Sequence, residues 1–284
     1  MGGRDIQFCW WCRKNPATTR EHRVKRTRVE QENAGGSGSF LYSAEPKHPY
    51  PTFLRSSDAK AAKFGKTMCA ECNGARSQLF DYAYQHFFDW SLEHINQVRN
   101  LSSLSWKKVF AGKSFDQRHL IRYYVKNLCC RIIDTGFDEV PAELIAFLDN
   151  ADHPSVVTSV IFKDFGLFDA FLESGESAPY TSPYIQTALA FSPDQSPHPG
   201  SYYVGFHDGF FGILVVWYAE ETRVEIKREN SIELRKNVKL YDRKNLENIP
   251  PLFDKLDLFE TAVRYKNQGL DPMDYIDREH VKRD

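Results

Sequence analysis

The sequence contains no long apolar run and no nucleotide-binding signature. No stretch approaches the ~20 apolar residues that a membrane-spanning helix needs, and the N-terminus lacks the apolar core of a signal peptide. There is no GxxxxGK or GxGxxG element and no internal repeat, so ATP or dinucleotide binding has no support. The net charge of −1 excludes a uniformly polybasic molecule. We therefore expect a cytoplasmic protein that does not contact a membrane.

The six cysteines are unevenly distributed along the chain. Four stand in two C-x-x-C pairs: Cys9 with Cys12, and Cys69 with Cys72. Such pairs are typical of metal binding in a reducing compartment, and they predict one structural Zn²⁺ site made of four thiolates with no position open to a substrate. The alternative is two unrelated pairs. Cys129 and Cys130 lie in an apolar helical stretch and are expected in the core.

The N-terminal segment around and after the first cysteine pair is basic. From Arg4 to Arg28 there are eight basic and two acidic residues, an excess suited to attracting phosphates. A solvated basic strand and loop would show the same composition.

Four residues near the cysteine pairs have the chemistry of phosphodiester hydrolysis. His22 supplies a near-neutral base, and Glu21 and Asn73 supply oxygen ligands suited to Mg²⁺ or Mn²⁺. Arg76, one helical turn beyond Asn73, is placed to hold a phosphate, and Ser77 stands at a predicted helix start. A shared zinc site would bring the segment that carries His22 beside the turn that carries Asn73.

From Cys9 to about Trp90 the chain resembles the zinc-knuckle group of HNH (His-Me finger, ββα-metal) endonucleases. The members have C-x-x-C, an acidic residue with His, then C-x-x-C-Asn and a basic residue three further on. Those places hold Cys9, Cys12, Glu21, His22, Cys69, Cys72, Asn73 and Arg76. The resemblance implies that His22 is the general base, that Glu21 and Asn73 bind one catalytic Mg²⁺, and that a β-hairpin packs against the following helix.

Two positions depart from the pattern of this family. Arg23-Val24-Lys25 follows the Glu-His pair, where members often have an aliphatic residue and Pro. Phe64 stands where members place the Asn that orients the histidine, so either another residue or a backbone carbonyl orients His22 or the site is weakened. His86 and Asp81, further along the helix, are either additional metal ligands or ordinary helix residues.

In the first half of the chain, periodicity and turn residues predict mainly helices after residue 75. The predicted elements are a strand over 5–12, an extended basic arm over 17–28, a flexible segment over 34–39, an irregular loop or flap over 40–58, and helices over 76–99, 116–133 and 141–148.

The second half is predicted to be a mostly antiparallel sheet. Its predicted elements are strands over 156–162, 184–191, 202–206, 211–219 and 223–227, a hairpin turn at His207-Asp208-Gly209, and a terminal helix over 253–265. The aromatic residues from Tyr202 to Tyr218 fit a sheet core better than a platform for stacking bases. The predicted fold is α+β: an HNH module with its zinc site over 1–100, a helical connector over 101–152, and an α+β domain for specificity or regulation over 153–284.

The leading functional hypothesis is a metal-dependent DNA endonuclease that cuts double-stranded DNA. The resemblance implies a bacterial or phage restriction or defence role, with a homodimer or a regulatory partner as possibilities. The alternative is a zinc-containing nucleic-acid-binding protein without catalysis. A sensor role for the β-rich half is compatible with both.

Overall fold

The computed structural model describes residues 8–34, 39–43, 52–54, 56–136, 139–150, 156–173, 184–191, 201–219, 235–243 and 268. The helices in these ranges are α1 (Arg26–Ala34), α2 (Ala70–Asn73), α3 (Gln78–Glu93), α4 (Ile95–Asn100), α5 (Trp106–Val109), α6 (Gln117–Asp134), α7 (Ala142–Asp149) and α8 (Phe165–Glu173). The strands are β1 (Thr19–His22), β2 (Ser39–Ser43), β3 (Thr52–Leu54), β4 (Lys63–Met68), β5 (Ser103–Ser105), β6 (Val157–Lys163), β7 (Tyr184–Phe191), β8 (Ser201–Asp208), β9 (Phe211–Tyr218), β10 (Asn237–Lys239) and β11 (Tyr241–Asp242). The α+β class is as predicted. None of the helices in these ranges combines the length and the apolar character that crossing a bilayer requires.

An antiparallel pair of strands, β1 and β4, precedes the helices that follow the second cysteine pair. Thr19 lies opposite Met68 and His22 opposite Lys63, with register irregularities between them. The predicted extended arm over 17–28 is wrong beyond His22, because the chain enters α1 at Arg26. Residues 26–34 contain neither Pro nor Gly, and an Arg26–Glu30 ion pair of 2.7 Å spans one helical turn.

The segment around the first cysteine pair is a tight turn. The Cys9 amide donates to the Asn15 carbonyl at 2.8 Å, and the Arg13 amide donates to the Cys9 carbonyl at 2.8 Å. Phe8 makes only an isolated bridge with Pro16. The predicted strand over 5–12 is therefore wrong from residue 9 onward, because these hydrogen bonds form a turn. Its first three residues lie outside the described part.

The largest sheet has seven strands in the order β11-β6-β9-β8-β7-β2-β3. Strands β6, β9, β8 and β7 are antiparallel neighbours, as predicted. The predicted loop over 40–58 is wrong at residues 40–43 and 52–54, since β2 and β3 extend this sheet and β2 runs parallel to β7, whereas residues 56–58 lie in a turn. Pairing with β2 satisfies backbone groups of β7 on the side away from β8, and Phe40-Leu41-Tyr42 has the side chains that strands favour.

The hairpin between β8 and β9 turns two residues later than predicted. Asp208 pairs with Phe211 and His207 with Gly212, so the two turn residues are Gly209 and Phe210. Gly209 has φ 67°, which suits glycine at the first position of a tight hairpin turn. His207 and Asp208 therefore belong to the strand, and their side chains are buried.

The three predicted helices are confirmed as α3, α6 and α7, with α3 ending at Glu93 and α4 continuing to Asn100. The N-terminus of α6 is capped by Asp116, whose carboxylate accepts from the Arg118 and His119 amides. Such a cap satisfies donors that a helix start leaves unpaired. The cap fixes the start of α6, the helix whose Lys126 pairs with Glu21.

One hydrophobic cluster joins the cysteine turns, α3, α6 and the large sheet. Cys129 and Cys130 are fully buried in it, as predicted. The core interpretation of the aromatic run is confirmed for these buried side chains: Tyr202, Tyr203, Phe206, Phe210, Phe211 and Trp217. The predicted strand over 223–227 and helix over 253–265 lie outside the described residues. The predicted division at residues 100 and 152 stays a prediction.

Candidate active site

The two C-x-x-C pairs converge on one point. The Sγ atoms of Cys9, Cys12, Cys69 and Cys72 all lie within 4.8 Å of one another. Tetrahedral Zn²⁺ with Zn–S bonds of about 2.3 Å requires sulfur atoms about 3.8 Å apart. The Cys12 and Cys69 sulfurs are 3.8 Å apart, so the thiol set fits a structural zinc ion. The prediction that all four cysteines share one metal-binding cluster is confirmed.

The thiols of the cluster differ in acidity. Burial raises the pKa of Cys9 and, more strongly, that of Cys72. For Cys12, burial acts in the same direction, but hydrogen bonds from the backbone of Asn15 and Lys14 outweigh it and lower the pKa to about 7. A divalent cation deprotonates the thiols that bind it, which would convert the buried members to thiolates.

Arg76 lies against this cluster. Its Nη1 donates to Cys72 Sγ at 3.3 Å, and its Nη2 pairs with Asp149. The guanidinium stacks 4.6 Å from the Trp11 ring, whose Nε1 also donates to Asp149 at 2.7 Å. Arg76 and Asp149 line an open cleft of about 340 Å³ together with Phe80. The structure thus holds Arg76 between a cysteine and a carboxylate, and its phosphate-binding role stays a prediction.

Asn73 is fixed between the second cysteine pair and β1. The backbone amide of Asn73 donates to the Cys69 carbonyl at 3.0 Å, which places Asn73 at the end of α2. Its Nδ2 reaches the Arg20 carbonyl at 3.4 Å. Its Oδ1 is buried and has no hydrogen-bond partner among the described residues. A buried acceptor of this kind calls for a donor or a cation.

His22 stands at the end of β1, opposite Lys63. The backbone of Ser57 lies near the ring, and Nε2 is buried and has no hydrogen-bond partner within the described ranges. Burial and the nearby Lys63 ammonium lower the pKa of His22 despite the Ser57 contact. Ser57 is thus a backbone neighbour of the ring, and the group that orients His22 in place of the Asn of the family stays a prediction. Phe64 itself is buried beneath the Arg23 guanidinium, 4.6 Å away.

Glu21 points away from solvent and pairs with a lysine of α6. The Lys126 Nζ lies 3.1 Å from Glu21 Oε1, 3.3 Å from Asp81 Oδ1 and 3.3 Å from Ser77 Oγ. Burial raises the pKa of Glu21, and Lys126 acts in the opposite direction. Burial would lower the pKa of Lys126, but both carboxylates outweigh it and raise the pKa. Lys126 is thus a positively charged group that contacts Glu21, Asp81 and Ser77.

Lys126 is not among the site residues predicted above, although the sequence carries a signal for it. It stands in a mostly apolar helical stretch from Leu120 to Ile133, and a lysine buried in such a helix requires a charged partner. The structure shows that Asp81 is one such partner. His86 is a core-edge residue, with Nε2 2.7 Å from the Val109 carbonyl and rings of Phe110 and Phe115 around it.

The predicted site residues on β1 and α2 are thus linked by a hydrogen bond, but they contact different groups. Asn73 is bound to β1 through Arg20, whereas Glu21 and His22 contact different groups, Lys126 for one and Ser57 for the other. Successive residues of a strand point to opposite faces, which agrees with these separate partners.

No family model, no curated protein and no solved structure matches the chain. The evidence for a function therefore comes from the residues and the geometry described above.

Proposed function

We propose that the chain is a metal-dependent DNA endonuclease that hydrolyses phosphodiester bonds with His22 as the general base. The observation that supports this most is the link between the cysteine cluster and β1. The cluster anchors the turn that ends at Asn73, and Asn73 Nδ2 reaches the backbone of β1 one residue before Glu21. A closed four-thiolate site stabilises such a link and takes no part in the reaction.

His22 is suited to accept a proton at neutral pH. Its lowered pKa favours the neutral imidazole, which is the form that can act as a base. The proton of the attacking water would pass to the ring nitrogen that has no partner in the described part of the chain, Nε2.

Asn73 and Glu21 are the oxygen donors proposed for a divalent cation. The unpartnered Oδ1 of Asn73 fits such a role, and the Glu21 carboxylate fits it chemically but is paired with Lys126. When bound, Mg²⁺ or Mn²⁺ would stabilise negative charge on the phosphate and on the leaving oxygen. Lys126 favours the ionised form of Glu21, the form that binds a cation.

Cleavage of plasmid DNA tests the proposal. Supercoiled plasmid is incubated with Mg²⁺ or Mn²⁺ and the purified protein, without a chelator that would strip zinc. We expect nicked or linear product with wild type, none with His22→Ala, and near-normal product with the control His94→Gln, which alters a histidine of the α3–α4 junction. Equal products from wild type and His22→Ala would overturn the proposal.

The second candidate function is a zinc-containing nucleic-acid-binding protein without catalysis. It is favoured by the internal pairing of Glu21 with Lys126 and of Arg76 with Asp149. In this case DNA binding weakens with salt but is indifferent to Mg²⁺ and to His22→Ala. A bacterial or phage restriction or defence role is proposed only from the HNH resemblance.

A further inference from the structure

Most side chains of the basic N-terminal run are held by internal partners. The described pairs are Arg13 with Glu139, Arg23 with Asp134, Lys25 with the Asp81 carbonyl, Arg26 with Glu30, and Arg28 with Asp208. Arg20 and Lys14 are exposed, and neither forms an ion pair with any residue that the structure describes. Among the described residues of this run, Arg20 and Lys14 are thus exposed cations outside any ion pair, whereas Arg13 and Arg26 are exposed but paired.

The strand pairing adds a second cation beside Arg20. Arg20 on β1 lies directly opposite Lys66 on β4, and Lys66 is also exposed and without an ion pair in the described ranges. Directly opposite residues of an antiparallel pair have Cβ atoms about 5 Å apart, and like charges in this position destabilise the pair. An anion that spans both side chains would remove this repulsion.

This pair of cations adjoins the candidate active site. Asn73 Nδ2 contacts the carbonyl of Arg20 itself, and His22 follows two residues later on β1. Lys63 and Arg26 add positive potential at the His22 ring. A polyanion held by Arg20 and Lys66 would therefore lie next to Asn73.

We infer that Arg20 and Lys66, the basic hairpin surface, bind the phosphate backbone of duplex DNA beside the candidate active site. This inference rests on the proposed function and deepens it, since it states where the substrate lies. Contacts of this kind are made to phosphates irrespective of sequence, and each neutralised phosphate adds to the salt dependence of binding.

The test compares the salt dependence of DNA binding in two charge-matched double variants. R20Q/K66Q removes the basic hairpin surface, and K107Q/K108Q removes two exposed lysines of α5. Binding of a short fluorescent duplex is measured by anisotropy over a series of salt concentrations, without Mg²⁺ and without a chelator. We expect the slope of log K against log salt to become shallower by about 1.8 for R20Q/K66Q and to stay at the wild-type value for K107Q/K108Q.

An unchanged slope in R20Q/K66Q, an equal change in both double variants, or no binding of duplex DNA by wild type would overturn the inference. Wild-type cleavage together with an unchanged R20Q/K66Q slope would overturn the inference alone. The expected slopes together with no cleavage above His22→Ala would support the inference and overturn only the endonuclease proposal. Thermal melting of both double variants checks that they fold like wild type.

Discussion

At the scale of single residues, His22 combines a half-buried ring with nearby positive charge. Both features lower its pKa, and the Ser57 backbone opposes them in part. Because the neutral ring exists above its pKa, a base with a lowered pKa is active from a lower pH upward.

The first prediction concerns the pH dependence of DNA cleavage. The midpoint of the acid limb of kcat/KM should lie below the ordinary histidine pKa of about 6.5. Lys63→Met removes one of the charges that lower the pKa of His22, so the limb should move to higher pH. Initial rates across a pH series at constant ionic strength measure this. A limb above pH 6.5 in wild type, or one that Lys63→Met leaves in place, contradicts the assignment.

The second prediction concerns Lys126. Lys126→Met leaves the buried Glu21 carboxylate without its cation, and loss of one partner of a buried pair typically costs about 3–5 kcal/mol. Without Lys126 the pKa of Glu21 in the folded protein rises further above its unfolded value. The destabilisation is therefore absent at pH values below the unfolded pKa and grows as pH rises through the folded pKa.

Urea unfolding of Lys126→Met at acidic and at neutral pH measures this effect. Adding Glu21→Gln to Lys126→Met removes the uncompensated charge and should restore part of the stability at neutral pH. Lys126→Arg changes the side chain but keeps the positive charge, so it is the control for effects of the substitution other than loss of charge. A loss that is the same at both pH values would contradict the electrostatic explanation.

At the scale of elements, two turns far apart in the chain meet at the cysteine cluster. One turn precedes β1 and the other follows β4, so the cluster holds both open ends of this strand pair together. The second turn also contains Asn73, whose position depends on that of Cys69.

The third prediction concerns zinc. The purified protein should contain one zinc ion per chain by elemental analysis, and Cys69→Ser should lose it. Because metal-binding energy at such sites contributes to folding, Cys69→Ser should be less stable by several kcal/mol, or roughly 10 °C in Tm. Cys129→Ala alters a buried cysteine outside the cluster and should retain zinc. Zinc content unchanged by Cys69→Ser would rule out the shared site.

At the scale of the whole molecule, a buried ion pair connects α1 with the large sheet. The Arg28 guanidinium, fully buried, lies 3.3 Å from the Asp208 carboxylate on β8 and 3.5 Å from the Phe88 ring. Asp208 also accepts from the Tyr84 hydroxyl of α3. Three elements from distant parts of the chain therefore depend on one carboxylate.

The fourth prediction tests this connection. Arg28→Met leaves Asp208 buried without its cation and should destabilise the protein by about 3–5 kcal/mol. Arg26→Met, two residues away on the exposed side of α1, should leave stability close to that of wild type, because solvent screens its pair with Glu30. Urea unfolding of both variants makes the comparison. Similar losses in the two variants would show that the buried pair contributes little.

Local patterns in the sequence were sufficient for several features of the fold. The C-x-x-C spacing of Cys9 and Cys69 predicts a metal cluster because it places two sulfurs on one turn. The helices α3, α6 and α7 follow from apolar periodicity that a single helix displays by itself. Strands β6 to β9 follow from short runs of β-favouring residues between turns.

Other features depend on segments that meet only after folding. Lys126 against Glu21, Ser57 against His22 and Lys66 opposite Arg20 are contacts between residues distant in sequence. The entry of β2 into the sheet depends on the free edge of β7, which the residues of β2 do not reveal. The sequence by itself thus determined the cysteine cluster and the main helices, because these follow from local spacing. Only the tertiary structure decided which charges surround the candidate active site, because packing sets those distances.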